Sequence, residues 1–286
     1  MTVTRAHEDE TGLSGKPLVI IEARTNWLAS NRSDLWVYRE LLQALVLRDI
    51  KVRYKQTVLG LAWAVIQPLF LMLVFASVFG RMSGMPSDGL PYPLFAFAGL
   101  VPWTFLANTI NTSGNSLVGN SSLITKVYFP RMIIPLSSVI SGLIDFAISF
   151  ALLVLLTLYY GPILSASLLM LPVLILLTAL LAASIGLVAS AVNVKYRDVR
   201  YALPFLIQVG IFLTPVIYPL SLVPDKWQWL LRLNPATGII EGFRSAMFGL
   251  PLDWQGIGVS ATITVALLFC SFVIFHRMER TFADVV

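Results

Sequence analysis

Long stretches of this 286-residue chain carry no charged side chain, and its few charges are gathered into clusters between them. A soluble domain of this size exposes much of its surface and could not place so many apolar residues. Hydrophobic residues make up 57% of the chain and charged residues 12%, a balance that belongs to integral membrane proteins. Six runs are apolar and long enough to cross a bilayer core, for which a helix needs roughly 20 residues. They are 58–79, 92–110, 133–159, 168–192, 203–219 and 256–275. None alternates with period two as barrel strands do, so the fold expected is an all-α membrane bundle of six transmembrane helices. Pro204, Pro215 and Pro219 predict a broken fifth span, and Pro68 predicts a kink in the first.

The basic residues orient the bundle. With a cytoplasmic N-terminus, the inner segments hold Arg39, Arg48, Lys51, Arg53, Lys55, Lys126, Arg131, Lys195, Arg197, Arg200, Arg277 and Arg280. The outer loops then hold only Arg81, Lys226, Arg232 and Arg244. Both termini are therefore expected on the cytoplasmic side of a multi-pass protein. No apolar run follows the mixed-charge start MTVTRAHEDETG, so no cleavable signal peptide is expected, and residues 1–33 read as a cytoplasmic extension.

Residues 34–50 predict an amphipathic helix lying in the headgroup plane. Ser33 serves as its N-cap, Leu35, Tyr38, Leu42, Leu45 and Val46 form its apolar face, and Arg39, Glu40 and Gln43 lie opposite. The outer segment between spans 5 and 6 has two short amphipathic pieces separated by Asn234-Pro235, each too short to cross. Re-entrant or interfacial helices over 225–250 fit it, with Trp227, Trp229 and Trp254 at headgroup level. Glu241 and Arg244 are three apart and can pair on a helix, a contact expected to contribute little at an exposed site.

No nucleotide-binding loop, metal motif or nucleophile motif occurs, so no ATP hydrolysis or covalent chemistry is expected of the chain alone. Cys270 lies in an apolar run and reads as a small packed side chain; His7 and His276 have no ligand companions nearby. Within the spans, Trp63, Gln67 and Phe70 share one helix face, and Phe205, Gln208 and Phe212 repeat that chemistry in the fifth. Such stripes suit a conduit for sugars, whose C–H faces stack on rings and whose hydroxyls need partners. They equally suit plain helix packing with amides bonded across the interface. Asp145, with Ser138, Ser141 and Ser149 on its face, has no visible basic partner in the membrane and reads as a structural site satisfied by the serines and backbone. The segment NTSGNSLVGNSSLITKVYFPR, residues 111–131, is rich in Gly, Ser and Asn at first and reads as a cytoplasmic loop between spans 2 and 3. Arg48, Lys51, Arg53 and Lys55 mark the inner surface and have the chemistry to contact a diphosphate headgroup.

Three stretches carry a resemblance: RDIKVRYKQTVLGLAWAVIQPL at span 1, NVKYRDVRYALPF followed by FLTPVIYPL at span 5, and NPATGIIEGFR in the outer segment. Together, and in this order, they resemble the permease subunit of ABC-2 type polysaccharide exporters, the family of O-antigen, capsule and teichoic acid export systems. The likeness runs from about residue 34 to the C-terminus, and the span 1 motif is most like the O-antigen branch. The resemblance implies an ABC-2 permease fold in the bacterial inner membrane, working as two copies with two copies of a separate ATPase. That partner would hold ATP and Mg; no cofactor is expected on this chain, and no nucleic acid partner. The cargo implied is a polyprenyl-diphosphate-linked glycan, moved from the cytoplasmic to the outer side among membrane lipids.

By the same resemblance, Trp63, Gln67, Phe70, Phe205, Gln208 and Phe212 line the glycan path, and Arg48, Lys51, Arg53 and Lys55 receive the lipid diphosphate. Tyr38, Arg39, Glu40, Lys126, Tyr128 and Arg131 would couple to the ATPase, and Trp229, Glu241 and Arg244 would belong to an external gate. The alternatives are an ABC-2 permease for capsule, teichoic acid or a drug or lipid. An ion-coupled carrier would need more than Asp145, and a membrane glycosyltransferase would need paired catalytic acids that the loops do not show.

Overall fold

The computed structural model describes residues 37–55, 62–127, 129–161, 165–279 and 282. The first helix, α1 (Arg39–Tyr54), is amphipathic, with Leu45 buried and Tyr38, Leu41 and Leu42 packed beside it. It runs past the expected end at 50, so Lys51 and Arg53 are helical residues like Arg48. Residues 34–36 of the expected helix lie outside the described residues. The first apolar crossing is α2 (Ala62–Phe75), continued by a π-helical stretch Ala76–Met82.

Next come α3 (Tyr92–Gly119), the short α4 (Ser121–Lys126) and α5 (Ile133–Tyr160). A 3₁₀ turn Ala166–Met170 leads into α6 (Leu171–Lys195), and α7 (Val199–Leu213) follows. Beyond a second 3₁₀ turn, Leu220–Leu222, lie α8 (Asp225–Arg232), α9 (Pro235–Phe248) and α10 (Trp254–Glu279). Every regular element among the described residues is helical. Five units are long and apolar enough to cross a membrane: Ala62–Met82, Tyr92–Gly119, Ile133–Tyr160, Ala166–Lys195 and Trp254–Glu279. The remaining apolar helix, α7, is shorter, with 15 residues, and ends before Pro215 and Pro219.

One correction concerns α3. The Gly/Ser/Asn-rich stretch read as a loop is helical to Gly119, and Ser113, Gly114, Ser116 and Leu117 are buried. Loop-like composition here permits close helix packing. A Cβ on Gly114 would stand 2.6 Å from the Leu203 side chain, and one on Gly186 would stand 2.5 Å from Ser113 Oγ. Small residues let helix backbones approach in this way where no water drives association. Asn193 of α6 then donates to the Gly114 carbonyl (2.9 Å) and to Asn115 Oδ1 (3.2 Å), locking the two helices together. We expect Gly186→Ala to cost about 1–3 kcal/mol through overpacking, because the atoms it meets belong to a buried serine. Thermal unfolding in detergent reads this directly, and an unchanged midpoint would mean α3 and α6 have room to separate.

α3 is the central post, mostly buried, whereas α2 is buried little within the single chain. One apolar cluster joins Leu45, Leu117, Ile124, Ile133, Leu187, Val194 and Phe275. These residues come from α1, the end of α3, α4, the start of α5 and the ends of α6 and α10, so all those termini share one layer. That layer also carries Arg48, Lys51, Lys126, Arg131, Lys195 and Arg197, and it is the basic end of the molecule. At the opposite end, α9 starts at an Asn234 cap that accepts from Ala236 N–H (3.1 Å), with Pro235 in the first turn. It stops at Gly249 in the left-handed conformation (φ 66°), the usual glycine terminator. Cys270, read as packed, is exposed on α10 instead.

Candidate functional site: a polar groove along the central helix

α3 is not apolar all round. Thr104, Asn108, Asn111, Thr112 and Asn115 recur at helical spacing and form one polar stripe. On one flank of the stripe Trp103 and Gly114 touch α7, at Gly210 and Leu203. On the other flank Phe105 and Thr109 touch α5, at Phe146 and Gly142. The stripe is therefore left uncovered between two walls. Sequence reading missed it because Asn111, Thr112 and Asn115 fell in the supposed loop; its signal was amides and hydroxyls recurring at 104, 108, 111, 112 and 115.

Beside this stripe lies a cleft of about 290 Å³. Its walls are Trp63 and Gln67 of α2, Thr104, Asn108 and Thr112 of α3, and Asp145 and Ser149 of α5, with Arg53 from the end of α1. Ser149 donates to the Ala64 carbonyl (2.7 Å), holding α2 against α5. The reading of Asp145 as lacking a basic partner is corrected: Arg53 forms an ion pair with its Oδ2. The two residues are 92 apart in sequence, so only packing of α1 on α5 could reveal the pair. Among the described residues, the second carboxylate oxygen of Asp145 and the hydroxyl of Thr109 are buried without a hydrogen-bond partner, and both residues line the same cleft. Buried polar atoms are normally paired, so this cleft has unused capacity for a polar ligand or water.

The six stripe residues singled out earlier fall into two groups. Trp63 and Gln67 line the cleft, and Phe70 lies on the same exposed face of α2. Phe205, Gln208 and Phe212 are exposed on α7, across α3 from α2. At exposures of 49% for Trp63 and 64% for both Phe70 and Phe205, these faces are left largely open among the described residues.

The basic cluster divides as well. Arg48 pairs with Asp49 (2.8 Å) and donates to Asn120 Oδ1 (2.8 Å), and Arg53 is held by Asp145. Only Lys51 and Lys55 present exposed ammonium groups. Of the residues expected to couple to a partner, Tyr38 packs against the basic-end core, while Arg39, Glu40 and Lys126 are exposed. Arg131 is engaged internally, donating to the Glu279 carbonyl (2.7 Å) and lying over the Phe282 ring. Tyr128 lies outside the described residues.

At the opposite end, the expected weak and exposed Glu241–Arg244 contact is corrected. The pair forms (2.8 Å), but Arg244 is only 1% exposed. Its guanidinium also donates to the carbonyls of Pro215 (2.7 Å), Val216 (2.5 Å) and Phe95 (3.4 Å), and lies 3.6 Å from the centroid of the Phe95 ring. Burial pushes the Glu241 carboxyl up from its ordinary range, and the neighbouring guanidinium opposes that shift. Gly99 makes room for this clamp, since a Cβ there would stand 2.6 Å from Arg244 Nη2 and 2.7 Å from the Val216 carbonyl. One side chain thus ties α9 to the start of α3 and to the chain leaving α7. Trp229 stays exposed on α8.

A membrane bundle whose central helix carries an uncovered polar groove, flanked by aromatic and amide faces, is the architecture of a permease. The chain belongs to the ABC-2 type transporter family, whose pattern matches residues 40–248. It is a multi-pass membrane protein, the membrane subunit of a transporter. It is similar to the O-antigen export system permease protein RfbA of Myxococcus xanthus, 29% identical over 255 residues that cover 88% of this chain and 97% of the relative. The protein of the same name from Klebsiella pneumoniae is 26% identical over 248 residues, covering 86% and 95%. The polysialic acid transport protein KpsM of Escherichia coli is 25% identical over 257 residues, covering 87% and 97%.

Proposed function

We propose that this chain is the transmembrane subunit of an ATP-driven exporter of polysaccharide, O-antigen foremost, carried on a polyprenyl diphosphate. It works as two copies with two copies of a separate ATPase in the bacterial inner membrane, both termini cytoplasmic. The observation that carries the reading is the polar groove of α3 between the Trp63–Gln67–Phe70 and Phe205–Gln208–Phe212 faces. A second copy set against those exposed faces would enclose a conduit whose rings stack on sugars and whose amides bond their hydroxyls. The relatives support it, since two are named for O-antigen export. A capsule glycan is the second reading, favoured by the likeness to KpsM.

α7 then counts as the sixth crossing. It leaves the basic layer after α6, and Thr214, just past its end, accepts from the Asn234 side chain at the far end of the bundle (2.8 Å). Fifteen residues of helix rise about 22 Å, short of the ~30 Å hydrocarbon core. The extended residues that follow make up the difference, and α8 and α9 form the external gate. The basic layer is the cytoplasmic face, where Arg39, Glu40 and Lys126 meet the ATPase.

The test is export. ATP hydrolysis is expected of the complex with the ATPase and not of the permease alone, and Trp63→Ala is expected to reduce surface glycan about tenfold while the complex still assembles. ATPase activity of the permease alone, or normal export by Trp63→Ala, would sink the respective part of this reading.

A further inference from the structure

The groove has a second cleft at its basic end, of about 360 Å³, lined by Val118, Ser121, Asn193, Arg197, Arg200 and Tyr201. It lies where α3, α6 and α7 converge. Asn193, which lines it, bonds to Asn115, the last member of the polar stripe, so cleft and stripe adjoin. Arg197 and Arg200 differ from the arginines of α1 in one respect that decides their use. Among the described residues their guanidinium groups make no hydrogen bond, ion pair or ring contact. Arg48 and Arg53, by contrast, are already held by Asp49 and Asp145.

Lys195 adds a further cation over the Tyr196 ring, and Asp198 is the single acid in this stretch, outside the cleft lining. Two unengaged guanidinium groups around a cleft have the chemistry of a phosphate site, because each presents paired donors matched to phosphate oxygens. Lys51 and Lys55 offer single point charges on the exposed side of α1 and line neither cleft.

We propose that this cleft, with Arg197 and Arg200 as its cations, is the subsite for the diphosphate headgroup of the lipid carrier, and that the α1 cluster is not. The inference rests on the exporter reading above. Arg200 precedes Phe205 by about one and a half turns of α7, so the first sugars attached to a headgroup held here lie along the aromatic and amide faces of the groove. The α1 lysines are left to attract the anionic lipid surface.

Titration of undecaprenyl diphosphate onto the permease–ATPase complex tests this, using wild type, R197Q/R200Q and K51Q/K55Q. Loss of two charged contacts is expected to weaken binding of the diphosphate lipid at least about tenfold in R197Q/R200Q, against less than about twofold in K51Q/K55Q. R197K/R200K, which keeps charge but not paired donors, should fall between. All four side chains are exposed, so both glutamine variants should match the wild-type unfolding midpoint.

Unchanged binding in R197Q/R200Q, an equal loss in K51Q/K55Q, or failure of R197Q/R200Q to fold each overturns the assignment. Inorganic pyrophosphate competing as tightly as the lipid would identify a site for a free anion and overturn the lipid assignment. Loss of the ATPase from purified R197Q/R200Q complex would make the pair a protein contact, with the same consequence. A wild-type complex that binds no polyprenyl diphosphate would instead refute the exporter reading itself, a distinguishable result.

Discussion

Arg244→Ala is expected to lower the stability of the solubilised permease by about 3–5 kcal/mol, the range for breaking a buried ion pair from one side. The residue is 1% exposed, so solvent screening does not reduce this figure. Alanine would leave the Pro215 and Val216 carbonyls without their donor and Glu241 without its counter-charge. Glu241→Gln should cost less, because three backbone carbonyls still hold the guanidinium. Adding it to Arg244→Ala should restore part of the loss, since an unpaired buried carboxylate is then removed. Thermal unfolding followed by intrinsic fluorescence measures all three variants. A wild-type midpoint for Arg244→Ala would show that α9 is held in place by other contacts.

The second large effect is expected at Arg53 and Asp145, and on transport more than on folding. Their side chains are 31% and 25% exposed, so screening keeps the stability contribution of the pair near about 1 kcal/mol. Asp145→Asn leaves an uncompensated cation in the cleft beside Trp63 and Gln67, and Arg53→Gln leaves an uncompensated carboxylate there. Each single change is expected to reduce surface glycan about tenfold, equivalent to 1.4 kcal/mol on the export step. The double variant should export better than either single one, because no unpaired charge remains. Additive losses would mean that the two residues act separately and that their ion pair is incidental to transport.

Much of the architecture was legible because apolar run length and charge placement are local properties. The crossings at 133–159 and 168–192 correspond to α5 and the Ala166–Lys195 unit within a few residues. Asn234, Pro235 and Gly249 marked both ends of α9 through capping chemistry that acts over two or three residues. The stretch 112–119 was misread because Gly, Ser and Asn signal turns in water, whereas between membrane helices the same small side chains permit close contact. The partner that this stretch packs against, Asn193 of α6, lies 79 residues beyond Gly114.

The candidate site was legible in part for the same reason. Trp63, Gln67 and Phe70 share a face by helical period alone, as do Phe205, Gln208 and Phe212. Their position on either side of the α3 stripe depends on which helices pack together.

Sequence alone determined that this chain is a helical membrane protein, where its five long apolar helices lie and which residue types face one side of each helix. Those properties follow from the solvent preference of each side chain and from the 3.6-residue period, neither of which needs a distant partner. Tertiary structure decided which charges are engaged. Arg53 met Asp145, Arg244 met three carbonyls and Glu241, and among the described residues Arg197 and Arg200 line a cleft without partners. Engagement depends on burial and on which helices pack together, so only the packed bundle could distinguish the cations that hold the structure together from those left exposed.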